Sequence, residues 1–180
     1  MNEPAPRERI TPAFRLGRKA GVILSLGAGS FIAGYFSLQL TIGSAPVFDP
    51  RDILVVCGGV LAGPVGGGLV GLSAGIAGQE PPVFVPLYAL GGILSGLLAG
   101  FLRREKRWMP GAALGLGACY PLAGLLMMGM GLWDRIAALA FQALVMQFTC
   151  ILVLSIIGSL DPAIFSWEDE MEKSPKDSFT

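Results

Sequence analysis

The feature that most constrains this chain is the scarcity of charge over its first half. Only four charged residues lie between positions 21 and 102, namely Asp49, Arg51, Asp52 and Glu80. A water-soluble domain could not cover itself with so little polar surface. Over the whole chain 14% of residues are charged and 53% are apolar, whereas a soluble domain carries roughly 25% charge. We therefore predict an all-α integral membrane protein.

Uncharged stretches of spanning length divide the chain, since about 20 helical residues cross a hydrocarbon core of ~30 Å. The clear candidate spans are residues 21–42, 83–102, 110–132 and 136–160. A further apolar stretch, 53–78, lies between the first two. Residues 1–19 form a basic arm and residues 161–180 an acidic tail, which leaves 20–160 as the membrane domain.

The stretch from Ile53 to Gly78 is longer than one crossing needs and shorter than two full ones, with Gly63-Pro64 near its middle. Lysine and arginine favour cytoplasmic loops. One crossing gives five spans, with 6 basic residues inside and 7 outside; two crossings give six spans, with 11 inside and 2 outside. We therefore predict a compact bundle of six transmembrane helices rather than five, in the inner or plasma membrane with both termini cytoplasmic.

Glycines repeat every four residues in two series. They are Gly59, Gly63, Gly67, Gly71 and Gly75, and then Gly92, Gly96 and Gly100. Because little hydrophobic force acts between helices in lipid, small residues at this spacing favour close backbone packing. We expect these glycines to pack the bundle; flexibility for a conformational change is the alternative. The first series continues across Pro64, as a single kinked helix also would.

Several kinds of chemistry have no residues to support them. The chain has no histidine, which excludes histidine-ligated metals, haem and a Ser-His-Asp triad. Its three cysteines, Cys57, Cys119 and Cys150, lack metal-binding spacing and are expected to be buried apolar residues. The net charge is zero, so no nucleic-acid partner is expected. With no nucleophile–base pair, we predict a protein without enzymatic activity or cofactor.

The four isolated charges are the candidate site. Asp49, Arg51 and Asp52 precede the stretch 53–78, and Glu80 follows it on the same outer side in the six-span arrangement. They form either a charged lip at the entrance for a small-molecule ligand or an ordinary interfacial anchor with an Asp–Arg pair. Both interpretations stay open at the level of sequence.

Four motifs carry a family resemblance. They are Asp49-Pro50-Arg51-Asp52, the run Gly59-Val60-Leu61-Ala62-Gly63-Pro64, the run Leu69-Val70-Gly71-Leu72, and Ser95-Gly96-Leu97-Leu98-Ala99-Gly100 before Arg103-Arg104. With them the chain resembles the transmembrane receptor region of LytS-type sensor histidine kinases. A departure is Gln79-Glu80, where that family usually has a basic residue. The tail is too short for a kinase domain, so the resemblance implies a free-standing receptor module in a phosphorelay or cell-wall context.

The alternative is a substrate-binding subunit of an energy-coupling-factor vitamin transporter, which is similar in size and has Gly-Pro-x-x-Gly turns. A structural subunit of a larger membrane complex is a third class. The expected partners are the lipid bilayer, a small-molecule ligand, and either a cytoplasmic kinase or regulator or an ATPase. Gln142 and Gln147 lie on different faces of the last span, and one of them is expected to face a neighbouring helix or a second copy, which makes a homodimer a candidate.

Overall fold

The computed structural model describes residues 12–38, 40–42, 45–78, 80–102, 108–119 and 132–160. These residues form five helices and one two-stranded sheet. In chain order the elements are α1 (Pro12–Tyr35), β1 (Leu40–Ile42), β2 (Ala45–Phe48), α2 (Pro50–Ala77), α3 (Phe84–Leu102), α4 (Trp108–Gly117) and α5 (Leu132–Leu160). By length and composition alone, three of the described segments could cross a bilayer, namely Pro50–Ala77, Phe84–Leu102 and Ala140–Ser159, although Pro50–Ala77 contains a non-helical residue, Gly63. The prediction of a helical membrane protein is confirmed at this level.

Helix α2 reverses direction at Gly63. This residue has φ 80° and ψ −177°, a conformation open almost only to glycine, and Pro64 suits the first position of a helix because it has no N–H to satisfy. A Cβ on Gly58 would consequently lie 3.0 Å from the Val70 Cβ, although a straight helix would separate these residues by about 18 Å. Thus α2 is a helical hairpin, with a first half at 50–62 and a second half at 64–77.

The hairpin corrects the prediction of six spanning helices. Each half has about 13 or 14 residues and reaches only ~20 Å, which is short of a ~30 Å hydrocarbon core. The described residues contain five helices, and neither half of α2 is a separate span. The chain does reverse at Gly63-Pro64, the position that the sequence indicated.

The predicted first span, 21–42, also extends too far at its C-terminal end. Helix α1 stops at Tyr35, and Leu40–Ile42 forms β1, which pairs antiparallel with β2. Absence of charge does not distinguish a helix from a strand, and β-branched Thr41 and Ile42 favour the strand. The sheet leads directly to Asp49, whose side chain accepts a hydrogen bond from the Arg51 backbone N–H at 2.9 Å and caps α2.

Helix α1 packs against both halves of the hairpin. A Cβ on Gly29 would lie 3.5 Å from Leu54 in the first half. In the second half, the Ser73 hydroxyl donates a hydrogen bond of 2.7 Å to the Gly27 carbonyl. This contact satisfies a polar group within an otherwise apolar interface.

Helix α3 packs on the other side of the hairpin through glycines. A Cβ would meet neighbouring backbone at six of the eight predicted packing positions: Gly59, Gly67, Gly71, Gly75, Gly92 and Gly96. For example, a Cβ on Gly59 would be 2.7 Å from the Gly92 carbonyl oxygen. The remaining two differ, since Gly63 makes the reversal and a Cβ on Gly100 would meet nothing within 4 Å.

The buried core lies between the hairpin and helices α3, α4 and α5. It includes Val55 and Val70 from α2, Leu116 from α4 and Leu154 from α5, each at most 2% exposed. All three cysteines are buried, as predicted. Large apolar side chains such as Phe148, at 75% exposure, cover the outside, as expected for surfaces in contact with lipid.

Several predictions concern residues outside the described part of the chain. They are most of the basic arm, Gln79, the basic segment 103–107, residues 120–131 of the predicted span 110–132, and the acidic tail. Within that span the structure describes α4, which ends at Gly117, and residues 118 and 119. The last predicted span falls within α5, which begins at Leu132.

Candidate ligand site at Arg51

Arg51 lies in the first turn of α2 and is paired with the capping residue Asp49. Its Nε donates to Asp49 Oδ1 at 3.0 Å and to Oδ2 at 2.8 Å, and its Nη2 donates to Oδ2 at 2.5 Å. Both side chains are buried, with an exposed fraction of 2% for Arg51 and 3% for Asp49. The Asp–Arg pair considered from the sequence is therefore present, and it is buried.

The same guanidinium also binds Glu80, which lies 29 residues further along the chain. Its Nη1 donates to Glu80 Oε2 at 2.9 Å, and its Nη2 forms a second ion pair with Oε1. Two parallel bonds of this kind are the strong and directional form of an arginine–carboxylate contact. The reversal of α2 makes this pair possible, because it returns the chain to the level at which the hairpin began.

Arg51 contacts every element around the open end of the hairpin. Its Nη1 lies 3.4 Å from the Ala74 carbonyl oxygen in the second half, and its guanidinium carbon lies 5.3 Å from the centre of the Tyr88 ring on α3, within the range of a cation–π interaction. A Cβ on Gly34 of α1 would lie 3.2 Å from Arg51 Cδ. One side chain therefore connects α1, α3 and both halves of α2.

The four predicted entrance residues do not form an exposed lip. Asp49 is 3% exposed, and Arg51 and Asp52 are each 2% exposed. A charge is costly to bury unless it is paired, so the sequence pattern is a buried ion-pair cluster. Glu80 is the exception, because its side chain is 24% exposed.

Glu80 is connected to α3 by a short and stiff segment. The backbone N–H of Phe84 donates to the Pro81 carbonyl at 2.9 Å, and that of Val85 donates to the Pro82 carbonyl at 3.2 Å. The two prolines thus accept the first hydrogen bonds of α3, and their fixed φ limits local bending. A displacement of Glu80 would therefore move the start of α3.

Sequence reasoning missed two members of the site. Tyr88 is one of them, because nothing in the sequence places its ring on Arg51. The backbone carbonyl of Ala74 left no sequence signal at all. Placing the hairpin in register, so that Arg51 lies opposite residues 74–80, would have indicated the contact with Ala74.

Comparison with protein-family models, with curated proteins and with solved structures returned no match to this chain. The resemblance to LytS-type receptor regions stays a prediction that depends on the motifs quoted above. The geometry at Arg51 is accordingly the basis on which a function can be proposed.

Proposed function

We propose that the protein is a membrane receptor module that binds a small carboxylate ligand at Arg51. The observation that carries the proposal is the unequal burial of the two carboxylates on one guanidinium. Asp49 is enclosed with Arg51, whereas Glu80 is partly exposed and holds the Nη1–Nη2 edge. A ligand carboxylate can replace Glu80 on this edge with the same paired geometry.

The charges at Arg51 favour a ligand that replaces Glu80 over a ligand that binds in addition to it. Arg51 already pairs with two carboxylates, those of Asp49 and Glu80, so a ligand carboxylate that simply added to them would bring a third negative charge to one guanidinium. If the ligand displaces Glu80 into water, the buried charge is unchanged. The free energy of binding then depends on how much more strongly Arg51 interacts with the ligand carboxylate than with the Glu80 carboxylate.

The stiff segment after Glu80 transmits a displacement of Glu80 to α3, and α3 reaches the other end of the membrane domain. When Glu80 leaves Arg51, Pro81 and Pro82 move with it, and they accept the first hydrogen bonds of α3. Helix α3 has 19 residues, or about 28 Å of length. A shift of its first turn would reach the far end, where the sequence becomes basic.

The resemblance to LytS-type receptor regions favours a cytoplasmic kinase or response regulator as the partner. A transporter subunit remains the alternative, with ATPase subunits as partners. Purification from the native membrane distinguishes them, because a kinase or regulator that travels with the chain supports the receptor and ATPase subunits support the transporter.

The binding proposal is tested by titrating the full-length protein in detergent with acetate and with succinate at constant ionic strength. Chloride and ethylammonium are the control ions. We expect carboxylates to raise the unfolding temperature of the wild type and to bind Glu80→Gln about tenfold more tightly, since a charged hydrogen bond of ~1.5–3 kcal/mol no longer competes. Arg51→Lys should weaken binding, because lysine lacks the planar fork.

Glu105→Gln provides a matched control, since it removes one glutamate charge that is not among the four residues of the candidate site. It should leave carboxylate binding unchanged. Weaker carboxylate binding by Glu80→Gln, or a stabilising effect of ethylammonium that depends on Glu80, would contradict the proposal and would indicate a cationic ligand.

A further inference from the structure

Gly78 follows the last residue of α2 and lies against the ion pair between Arg51 and Glu80. A Cβ at this position would overlap with Glu80 Oε2 and with Arg51 Nη1, and it would lie 3.1 Å from Glu80 Cδ. Nη1 and Oε2 are the donor and the acceptor of the 2.9 Å hydrogen bond that joins the two side chains. Any side chain at position 78 would therefore enter the space of this hydrogen bond.

The backbone conformation of Gly78 does not require glycine. Its φ is −69° and its ψ is 154°, values that residues with a Cβ adopt readily. Many helices are followed by a glycine because the chain there needs a positive φ, but that reason does not apply at Gly78. What glycine provides at this position is space beside the Arg51 guanidinium.

The two groups that meet at Gly78 differ in how easily they can move. The Arg51 side chain is 2% exposed, and it is also bonded to Asp49 and to the Ala74 carbonyl oxygen. The Glu80 side chain is 24% exposed, and its carboxylate is the far end of a flexible side chain. A methyl group on residue 78 would therefore displace the Glu80 carboxylate and leave Arg51 in place.

We propose that Gly78 is a positioning residue for the carboxylate that occupies the Nη1–Nη2 edge of Arg51. The space beside its Cα holds one oxygen of Glu80 and, after exchange, one oxygen of the ligand carboxylate. The statement about the ligand rests on the proposed function. The statement about Glu80 rests on the contacts of Gly78 alone, so the two can fail separately.

The first test measures the Glu80 carboxylate without any ligand. Full-length protein in detergent is treated with a water-soluble carbodiimide and an amine, and peptide mass spectrometry follows the modification of Glu80. Gly78→Ala should raise the rate of modification by up to about tenfold, because the carboxylate loses one charged hydrogen bond to Arg51.

Gly68→Ala is the matched control for overpacking in the same half of α2. A Cβ on Gly68 would lie 3.0 Å from Ile93 Cγ1, and its nearest neighbours are Ile93 and Ala89 on α3. This variant should leave the rate of modification of Glu80 unchanged. An equal rise in both variants would overturn the proposal, since overpacking anywhere in this half would then explain the result.

The second test measures acetate binding in variants that lack the competing charge of Glu80. Gly78→Ala/Glu80→Gln should bind acetate at least about tenfold more weakly than Glu80→Gln, because the methyl group enters the space of a ligand oxygen. Gly68→Ala/Glu80→Gln should bind acetate as Glu80→Gln does.

An unchanged rate of Glu80 modification in Gly78→Ala would overturn the proposal. Equal acetate binding by Gly78→Ala/Glu80→Gln and Glu80→Gln would overturn it for the ligand. If Glu80→Gln itself binds no acetate, the proposed function fails, and the modification rates still decide whether Gly78 positions Glu80.

Discussion

Replacing Arg51 with leucine should strongly destabilise the protein. The substitution removes the ion pair to Asp49, which is 3% exposed, and the ion pair to Glu80, which is 24% exposed. Removing one member of a buried ion pair typically costs about 3–5 kcal/mol, because the remaining charge stays desolvated. We expect a cost in this range.

The loss should be measured as the free energy of unfolding in mixed micelles, by titration with a denaturing detergent. If desolvated carboxylates cause the loss, then Asp49→Asn/Arg51→Leu/Glu80→Gln should be more stable than Arg51→Leu alone, although it contains more substitutions. A cost below about 1 kcal/mol for Arg51→Leu, which is the typical value for an exposed ion pair, would refute the burial argument. A triple variant less stable than the single variant would refute the electrostatic explanation.

Four further substitutions test the packing and the backbone of the hairpin. Gly92→Ala should cost about 1–3 kcal/mol of unfolding free energy, as overpacking does, because its Cβ would collide with the Gly67 carbonyl; Gly100→Ala, where space is open, should be nearly neutral. Gly63→Ala should cost about 1–3 kcal/mol through backbone strain alone, since a Cβ there meets no atom, and a neutral result would contradict the positive φ. Ser73→Ala should cost about 0.6 kcal/mol, a typical value for a hydrogen bond between membrane helices, and a loss above about 2 kcal/mol would mean that the contact to α1 has another role.

The sequence predicted the structure correctly where a single physical property decides which structure forms. Charge is excluded from hydrocarbon, so the scarcity of charged residues predicted a helical membrane protein. The distribution of basic residues predicted that the chain reverses, and Gly63-Pro64 is the position at which it does. The repeating glycines indicated the surface between α2 and α3, because a Cβ at Gly59 or Gly92 would meet backbone.

The predictions failed where two different structures have the same sequence property. An uncharged stretch can be helix or strand, and so the predicted first span included Leu40–Ile42, which forms β1. Two apolar halves can be two spans or one short hairpin, and only their length of ~20 Å decides against two spans.

The candidate site at Arg51 could not be predicted from the sequence for a different reason. Charged residues near an interface are usually exposed, and the two interpretations left open by the sequence were a charged lip and an interfacial anchor with an Asp–Arg pair. Burial of Arg51 depends on Glu80 and Tyr88, which lie 29 and 37 positions away. The register of the hairpin brings Glu80 to Arg51, and the packing of α3 on the hairpin brings Tyr88 there. A single sequence specifies neither.

The most direct test of the account is whether the two halves of α2 lie side by side in the membrane. Gly58→Cys/Val70→Cys should form a disulfide on mild oxidation in a variant without the three native cysteines. A Cβ on Gly58 would lie 3.0 Å from the Val70 Cβ, and a separation of the two halves by about 0.5 Å brings the pair into the range of ~3.5–4.5 Å that disulfides join. Gly58→Cys/Ile76→Cys should not form a disulfide, and mass spectrometry after thiol labelling distinguishes the two. If the first pair keeps both thiols free, α2 is a continuous helix, and the contact between Arg51 and Glu80 would be excluded with it.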